Sequence, residues 1–218
     1  MINIGDRTNP AELLRLAMPY PATDVLLTPD FRLAVAAAGF QRIGIVATMI
    51  SNGQLLMARH KQSPKLNGNV WGPLSETSQS QDTVYETATE TLWRGMREEL
   101  GMDPPSLTLA THMRRFMACE WNGENPRERS YAIVPIIHLP QETRQYMLDT
   151  FRPTPEIDAI GFWRPETIRS QAPQLRSGVL EWLSAVTESP LFKQPSPGVP
   201  FTVEPPRLPD SATDLYLV

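Results

Sequence analysis

Two adjacent glutamates near the middle of the chain, Glu98 and Glu99, are the residues whose spacing points most directly to chemistry. Arg94 precedes them by one helical turn, and Glu86 lies further back toward the N-terminus. If residues 84–100 are helical, side chains spaced by four lie on one face. The charged residues on that face are then Glu86, Glu90, Arg94 and Glu98. A carboxylate cluster of this kind suits a hard cation such as Mg²⁺, which prefers oxygen ligands.

The same segment also has an apolar repeat. Apolar side chains recur every three or four residues, at Tyr85, Ala88, Leu92, Met96 and Leu100. This periodicity predicts a helix that is buried on one side, and Gly101 is the residue type that most often ends a helix. Ordinary solvated helices carry similar charge ladders, in which each opposite-charge pair contributes ~0.2–0.5 kcal/mol. The adjacent glutamates and the terminal glycine, together with the ladder, favour a functional site over a merely solvated face.

With its spacing and its glycine stop, this segment resembles the Nudix box, written G-x5-E-x7-R-E-U-x-E-E-x-G-U with U an aliphatic residue. The matching positions are Glu86, Arg94, Met96, Glu98, Glu99, Gly101 and Met102. Two positions differ, because Ser80 replaces the first glycine and Gly95 replaces the glutamate that follows the arginine. The resemblance implies an α/β protein with a Nudix-like α/β/α sandwich and a mixed sheet.

The resemblance also implies roles for individual residues. Glu98 and Glu99 would bind a divalent metal, Mg²⁺ or Mn²⁺. Arg94 would be held by an upstream glutamate, Glu86 or Glu90, and would help to orient the metal ligands. In the family, the glutamate that is absent here often binds metal or serves as the general base. One catalytic carboxylate is therefore missing from its usual place.

The segment before the helix offers a substitute carboxylate, Glu76. The usual Pro-Gly-Gly of the family becomes Pro73-Leu74-Ser75 here, which predicts a longer loop over 73–83. In the family, the equivalent loop contributes a backbone carbonyl to the metal. We therefore predict that the Glu76 carboxylate lies within reach of Glu98 and Glu99, with Glu90 as the other candidate.

The glycine at position 95 is unusual inside a helix. Glycine in a helix interior costs about 1 kcal/mol relative to alanine, so Gly95 calls for a local reason. Close approach of a neighbouring element or of the substrate would supply one, and a tolerated glycine in a packed helix is the alternative.

Further candidates are scattered along the chain. A later glutamate could bind metal or act as a base, and the choices are Glu120, Glu124, Glu128 and Glu156. A planar guanidinium suits phosphate, and the candidate arginines are Arg59, Arg114, Arg115, Arg127 and Arg129. Of these, Arg59 falls where the family commonly has an arginine, so it is the predicted substrate-binding residue. Trp121 and Tyr131 could stack on a base, although core packing is the commoner use of aromatic side chains.

Two functions are consistent with these residues. The first is a metal-dependent pyrophosphohydrolase acting on a nucleoside diphosphate derivative or a similar small-molecule diphosphate. Its candidate catalytic residues are Glu76, Glu86, Arg94, Glu98 and Glu99. The second is a catalytically degenerate module that binds a nucleotide-like ligand or a protein partner, which the loss of the box glutamate favours. An isoprenyl diphosphate isomerase would need a cysteine near the box, and Cys119 lies well beyond it.

The flanking chain predicts the elements that would position these residues. Arg42 to Ile50 and Leu55 to Arg59 read as strands, joined by Asn52-Gly53, a strong hairpin signal. Further predicted strands cover 107–119, 130–139 and 157–166, predicted helices cover 10–17, 30–38 and 177–186, and turns or loops cover 64–72 and 121–129. Residues 1–40 form a predicted N-terminal extension, 41–187 a Nudix-like domain and 188–218 a proline-rich tail. Seven prolines between Pro190 and Pro209 disfavour regular structure in that tail.

Composition limits the remaining possibilities. The chain has 218 residues and a net charge of −4, which makes nucleic acid an unlikely partner because nucleic-acid-binding surfaces are strongly basic. A single cysteine excludes an intrachain disulfide and fits a reducing compartment. The N-terminus has no signal-peptide pattern, and no stretch approaches the roughly 20 apolar residues of a membrane span. We therefore expect a cytoplasmic protein, with a homodimer as a further possibility.

Overall fold

The computed structural model describes residues 27–62, 69–81, 84–102, 116–122 and 129–193, together with Pro10, Leu13, Leu14 and Val25. Its strands are β1 (Arg42–Ser51), β2 (Gln54–His60), β3 (Val70–Gly72), β4 (Leu74–Thr77), β5 (Ser80–Gln81), β6 (Val84–Tyr85), β7 (Phe116–Asn122), β8 (Arg129–His138) and β9 (Ile157–Trp163). Its helices are α1 (Pro29–Ala37), α2 (Ala88–Leu100), α3 (Gln141–Thr150), α4 (Pro165–Ser170), α5 (Val179–Glu188) and α6 (Pro190–Lys193), with a 3₁₀ turn at Ala172–Gln174.

Within the described residues, seven strands form one mixed sheet that begins from the predicted β1–β2 hairpin. Asn52 and Gly53 make its turn with positive φ angles of 51° and 70°, as the Asn-Gly pair predicts. Beyond this turn β1 and β2 diverge. β1 pairs in parallel with β8 and antiparallel with β4, whereas β2 pairs antiparallel with β3 and β9. The resulting sheet has mixed strand directions, in agreement with the predicted fold class.

Helices cover both faces of this sheet. One buried cluster joins the sheet to α1 and α2 and includes Phe31, Leu92 and Met96. The opposite cluster joins the sheet to α5 and includes Trp182 and Leu183. The architecture is therefore an α/β/α sandwich. None of the helices in the described ranges has the length and apolar character that crossing a membrane requires.

The segment that carries Glu76 is a strand, and so is Val70–Gly72 before it, which corrects the described parts of the predicted loops over 64–72 and 73–83; residues 64–68 and 82–83 lie outside the described residues. β3 pairs with β2, and the chain then passes through Pro73 into β4, which pairs with β1. Pro73 lies where the chain changes from pairing with β2 to pairing with β1, and it donates no ladder hydrogen bond because proline has no backbone N–H. Because strand side chains alternate, Leu74 and Glu76 lie on the α2 side. The short pair β5–β6 follows, with β5 in the predicted loop and β6 at the start of the predicted helix.

The box helix begins later than predicted, at Ala88 rather than at residue 84. Thr87 caps it, since its hydroxyl accepts from the backbone N–H of Glu90 at 3.2 Å while the Glu90 carboxylate accepts from the Thr87 N–H at 2.6 Å. This capping box fixes the first turn. Gly101 ends the helix with φ of 63°, as predicted. Glu86 therefore precedes the helix and does not share its charged face.

Other boundaries also differ from the predictions. Thr28, not Asp30, caps α1, because Pro29 occupies its first position. The predicted turn over 121–129 is shorter, since Trp121 pairs with Ser130 in the β7–β8 ladder. A single helical turn, α6, replaces the start of the predicted extended tail. The strand portion 107–115, most of the predicted helix over 10–17 and the tail beyond Lys193 lie outside the described residues.

Candidate functional site

Arg94 on α2 is the centre of the predicted site. Its Nε donates to Glu86 Oε1 at 2.7 Å and its Nη2 donates to Glu86 Oε2 at 3.0 Å. Its Nη1 lies 3.0 Å from Glu76 Oε1 and 3.3 Å from Glu98 Oε2. Nη2 also donates to the Thr77 carbonyl at 2.8 Å. One arginine thus brings together three of the predicted carboxylates, from a loop, a strand and a helix.

Glu86 reaches Arg94 from the residues before α2. Its Oε2 also accepts from the backbone N–H of Gln79 at 2.9 Å and from the Thr91 hydroxyl at 3.0 Å. Burial raises the pKa of Glu86, but these hydrogen bonds and the Arg94 charge outweigh it and the pKa is lowered. The pKa of Arg94 is raised, first through its hydrogen bond to Glu86. Both groups are therefore held in their charged forms, and Glu90, engaged in the helix cap, is not the partner of Arg94.

The structure explains why a glycine stands inside α2 at position 95, because strand β4 packs directly against it. A Cβ at position 95 would lie 3.0 Å from the Cβ of Glu76 and 3.4 Å from its Cγ. Contacts of 3.0 Å are tighter than nearly all real Cβ contacts. The predicted close approach of a neighbouring element is therefore confirmed. Glu76 shares Arg94 Nη1 with Glu98, so the structure also places it beside the cluster, as predicted; its catalytic role stays a prediction.

Glu99 is the buried carboxylate of the site, with 3% of its surface exposed. Burial raises its pKa well above the usual range, the charge of Arg176 opposes this, and the charges of Glu76 and Glu156 add to it. The backbone N–H of Ser75, a residue that lines a small cavity together with Glu99, also opposes the rise in this pKa. Its Oε2 has no hydrogen-bond partner within the part of the chain that the structure describes. A buried acceptor without a partner is costly, so this atom is where a ligand would gain most.

The donor chemistry fits a divalent cation, although a finished binding site is not assembled. Among the described residues, no three His, Cys, Asp or Glu side chains are already arranged to hold a metal ion. Glu98 is about half exposed and, like Glu76, contacts Arg94. Glu99 carries the unpartnered oxygen and lines a small cavity between β4 and α2, together with Glu76 and Gly95. Carboxylate oxygens are the ligands that Mg²⁺ prefers, so Glu99 is the residue best placed to hold such an ion.

The later glutamates separate into distinct environments. Glu120 is bound by Arg129 at 2.8 Å, which lowers the carboxyl pKa. Glu156 lies close enough to Glu99 for its charge to raise the pKa of that group. Glu124 and Glu128 lie outside the described residues. Glu156 is therefore the later glutamate that the fold brings toward the site.

The arginines predicted to contact phosphate and the aromatic residues considered for base stacking lie in different environments. Arg59 is held by Asp158 through hydrogen bonds of 2.7 and 3.2 Å, and its guanidinium lies 5.7 Å from the centre of the Trp71 ring. Trp121 and Tyr131 are buried, which agrees with the commoner use of aromatic side chains in core packing, so neither is available to stack on a base. Both belong to strands whose faces are covered. Three further candidate arginines, Arg114, Arg115 and Arg127, lie outside the described residues.

Sequence reasoning missed Arg176, which follows the 3₁₀ turn before α5. Its Nη1 donates to the Ser75 hydroxyl at 2.7 Å, and its backbone N–H donates to the Trp71 carbonyl at 2.9 Å. Its charge also opposes the raised pKa of Glu99. Its partners are about a hundred positions away in the chain, and no local pattern marks such a contact.

Comparison with solved structures supports the fold. A bifunctional NMN adenylyltransferase/ADP-ribose pyrophosphatase from Francisella tularensis, complexed with AMP and a Mn ion, matches with a TM-score of 0.50 and 14% sequence identity, covering 74% of this chain and 49% of that chain. A second structure of a bifunctional NMN adenylyltransferase/ADP-ribose pyrophosphatase from the same organism matches with a TM-score of 0.49 and 15% identity, covering 68% of this chain and 41% of that chain. The NUDIX domain of Shewanella oneidensis NrtR, complexed with ADP ribose, matches with a TM-score of 0.47 and 14% identity, covering 74% and 98%.

These likenesses are of fold and not of sequence. No protein-family model matches the chain, and no curated protein matches it in sequence. The chain spans about half the length, or less, of the two bifunctional enzymes it matches. The predicted Nudix-like architecture is nevertheless confirmed at the level of fold, because the chain shares its mixed sheet between helices with the structure matched at a TM-score of 0.50.

Proposed function

We propose that this chain, which has the Nudix fold, is a metal-dependent hydrolase that cleaves the diphosphate of a nucleoside diphosphate derivative or a similar small molecule. The observation that carries the proposal is the buried Glu99 carboxylate, whose Oε2 lacks a hydrogen-bond partner within the described residues. Glu76 lines the same cavity, and Glu98 is the adjacent residue on α2. A buried oxygen of this kind gains most from a cation that it can bind.

In the proposed site, Glu98 and Glu99 hold Mg²⁺ or Mn²⁺. The ion would neutralise the negative charge that an anionic phosphate presents to the attacking water. Arg94, fixed by Glu86, keeps Glu76 and Glu98 in place. Glu76 accepts a proton from the attacking water while the water oxygen forms a bond to phosphorus. The phosphoanhydride P–O bond then breaks, and the other phosphate group of the diphosphate leaves. Residues 41–187 are the proposed unit that carries this chemistry, in a cytoplasmic setting.

A panel of diphosphate substrates tests the proposal. Release of phosphate or nucleoside monophosphate is measured from nucleoside diphosphate derivatives with Mg²⁺, with Mn²⁺ and with chelator. ADP-ribose is the first substrate to test, because a structural neighbour is complexed with ADP ribose. We expect release that requires the metal and that Glu99→Gln removes. Metal-independent release, or none from any member of the panel, would contradict a metal-dependent hydrolase.

A second candidate function is a degenerate module that binds a nucleotide-like ligand or a protein partner. Gly95 in place of a box glutamate favours it. The same panel decides between the two functions when it is joined to a binding measurement. Saturable binding of a nucleotide by calorimetry without any turnover would favour the binding module. If a partner is a second copy of the chain, a homodimer would appear in a sedimentation experiment.

Arg59 gives a prediction about substrate binding. Asp158 fixes its guanidinium, and 40% of its side chain is exposed, so it can present donors to a phosphate. Arg59→Met is expected to raise KM severalfold while kcat changes little, because a contact made equally in ground and transition states affects only binding. Steady-state kinetics against the best panel substrate provide the measurement. Arg152→Met, on an exposed residue, is the matched control. An unchanged KM would remove Arg59 from the site.

A further inference from the structure

We infer that Arg176 is a positioning residue of this site, which acts by holding strand β4 where the Ser75 N–H can orient the Glu99 carboxylate. This inference rests on the proposed function for its catalytic consequence. It concerns a residue that neither touches the proposed cation nor belongs to the box. Arg176 acts by holding Ser75 in position, and Ser75 acts on Glu99 through its backbone N–H.

Arg176 contacts both β3, which pairs with β2, and β4, which pairs with β1. Its backbone N–H donates to the carbonyl of Trp71, at the centre of β3. Its guanidinium donates through Nη1 to the hydroxyl of Ser75, in β4. Pro73 lies between these two partners and has no N–H. Arg176 therefore holds the chain by hydrogen bonds on both sides of Pro73, the residue between β3 and β4.

Strand β4 requires additional hydrogen bonds to hold its position, because its hydrogen-bond ladder with β1 is short. It pairs with β1 along four residues, and among the described strands it has no partner on its other edge. The Ser75 side chain points away from α2, while Ser75 and Glu99 line the same small cavity and the Ser75 N–H opposes the raised pKa of Glu99. One residue thus connects Arg176 on one side of the strand with the buried carboxylate on the other. A shift of β4 would move the donor that holds Glu99.

The surroundings accommodate Arg176 at this junction. The Arg176 side chain packs against Gly72, where an added Cβ would lie at the ordinary contact distances of 3.4 Å from the Arg176 Cβ and 3.5 Å from its Cδ. His60 is buried nearby, and burial, followed by the Arg176 charge, lowers the pKa of His60 to about 3. The imidazole is then neutral at ordinary pH, so it does not repel the guanidinium.

The experiment uses the full chain and the variants Arg176→Met, Arg176→Lys and Ser75→Ala, with Arg169→Met as a control on an exposed arginine. The first measurement is hydrogen exchange of the Ser75 amide by NMR, without metal. We expect Arg176→Met to reduce protection of that amide at least tenfold more than it reduces protection of the β1 and β8 amides. Arg176→Lys should recover part of the protection, because the ammonium can still donate to the Ser75 hydroxyl. Ser75→Ala should lose protection at position 75 in the same way.

The second measurement is steady-state kinetics with Mg²⁺. We expect Arg176→Met to lower kcat roughly 10–100-fold, the usual effect of residues that orient metal ligands, with a much smaller change in KM. Equal loss of protection across all strands, or a Ser75 amide that exchanges as in the unmodified protein, would overturn the inference. A chain that neither binds metal nor hydrolyses any substrate would overturn the proposed function. The exchange at Ser75 would still decide whether Arg176 positions the strand.

Discussion

Replacing Glu99 by glutamine should weaken binding of Mg²⁺ or Mn²⁺ at least tenfold and remove metal-dependent hydrolysis. The side chain is nearly fully buried, and its Oε2 lacks a hydrogen-bond partner within the described residues. A neutral amide cannot supply the charge that a divalent cation needs in a buried site. Glu98→Gln should have a smaller effect, because Glu98 is about half exposed and its carboxylate contacts Arg94. Isothermal titration calorimetry of the metal-free chain provides the measurement.

The thermal midpoint of the metal-free Glu99→Gln variant supplies an independent check. Burying an ionised carboxylate is costly, and an amide of the same shape avoids that cost. The variant should therefore unfold at the same temperature as the unmodified chain or higher, while losing metal affinity. That combination identifies a residue kept for function at the expense of stability. Glu142→Gln on α3, an exposed residue, should change neither property. Unchanged metal binding in both Glu98→Gln and Glu99→Gln would move the metal site elsewhere.

Local sequence signals predicted the parts of the fold whose causes are local. The Asn52-Gly53 turn forms because both residues accept positive φ angles. The end of α2 at Gly101 follows from the same property. The Glu86–Arg94 contact was also predicted, but for a different reason. The family resemblance implied that an upstream glutamate, Glu86 or Glu90, would hold Arg94, and the structure makes the contact from Glu86, which precedes the helix cap.

The features that sequence reasoning missed depend on contacts between distant segments. Leu74 to Thr77 is too short and too polar to identify as a strand, and it becomes one by pairing with β1. Trp121 begins the segment predicted as a polar turn and yet is buried, because β7 pairs with β8 beneath α5. The contact of Arg176 with Ser75 joins residues that no spacing rule relates. Each of these required the tertiary arrangement and could not follow from periodicity.

The relation between Glu76 and Gly95 gives the prediction with the largest effect on chemistry. Position 95 lacks the box glutamate, and the Glu76 carboxylate of β4 lies beside it, with its Cβ 3.0 Å from where a Cβ at 95 would be. If Glu76 is the general base, Glu76→Gln should lower kcat by ~10²–10⁴. The amide can still accept from Arg94, so the fold should be retained, which circular dichroism and the thermal midpoint would verify. Arg97→Ala, on an exposed part of α2, is the control.

Restoring the family residue at position 95 alone should be harmful. In Gly95→Glu the new Cβ would meet the Glu76 Cβ at 3.0 Å, and both atoms are carried by backbone that is fixed in α2 and β4. The double variant Glu76→Gly with Gly95→Glu opens that space and returns the carboxylate to the helix. It should therefore exceed Gly95→Glu in rate, even though glycine weakens a strand. A rise in rate from Gly95→Glu alone would show that position 76 had not taken over the missing role. Full activity in Glu76→Gln would lead to the same conclusion and would leave Glu156 as the next candidate, since Glu90 is engaged in the helix cap.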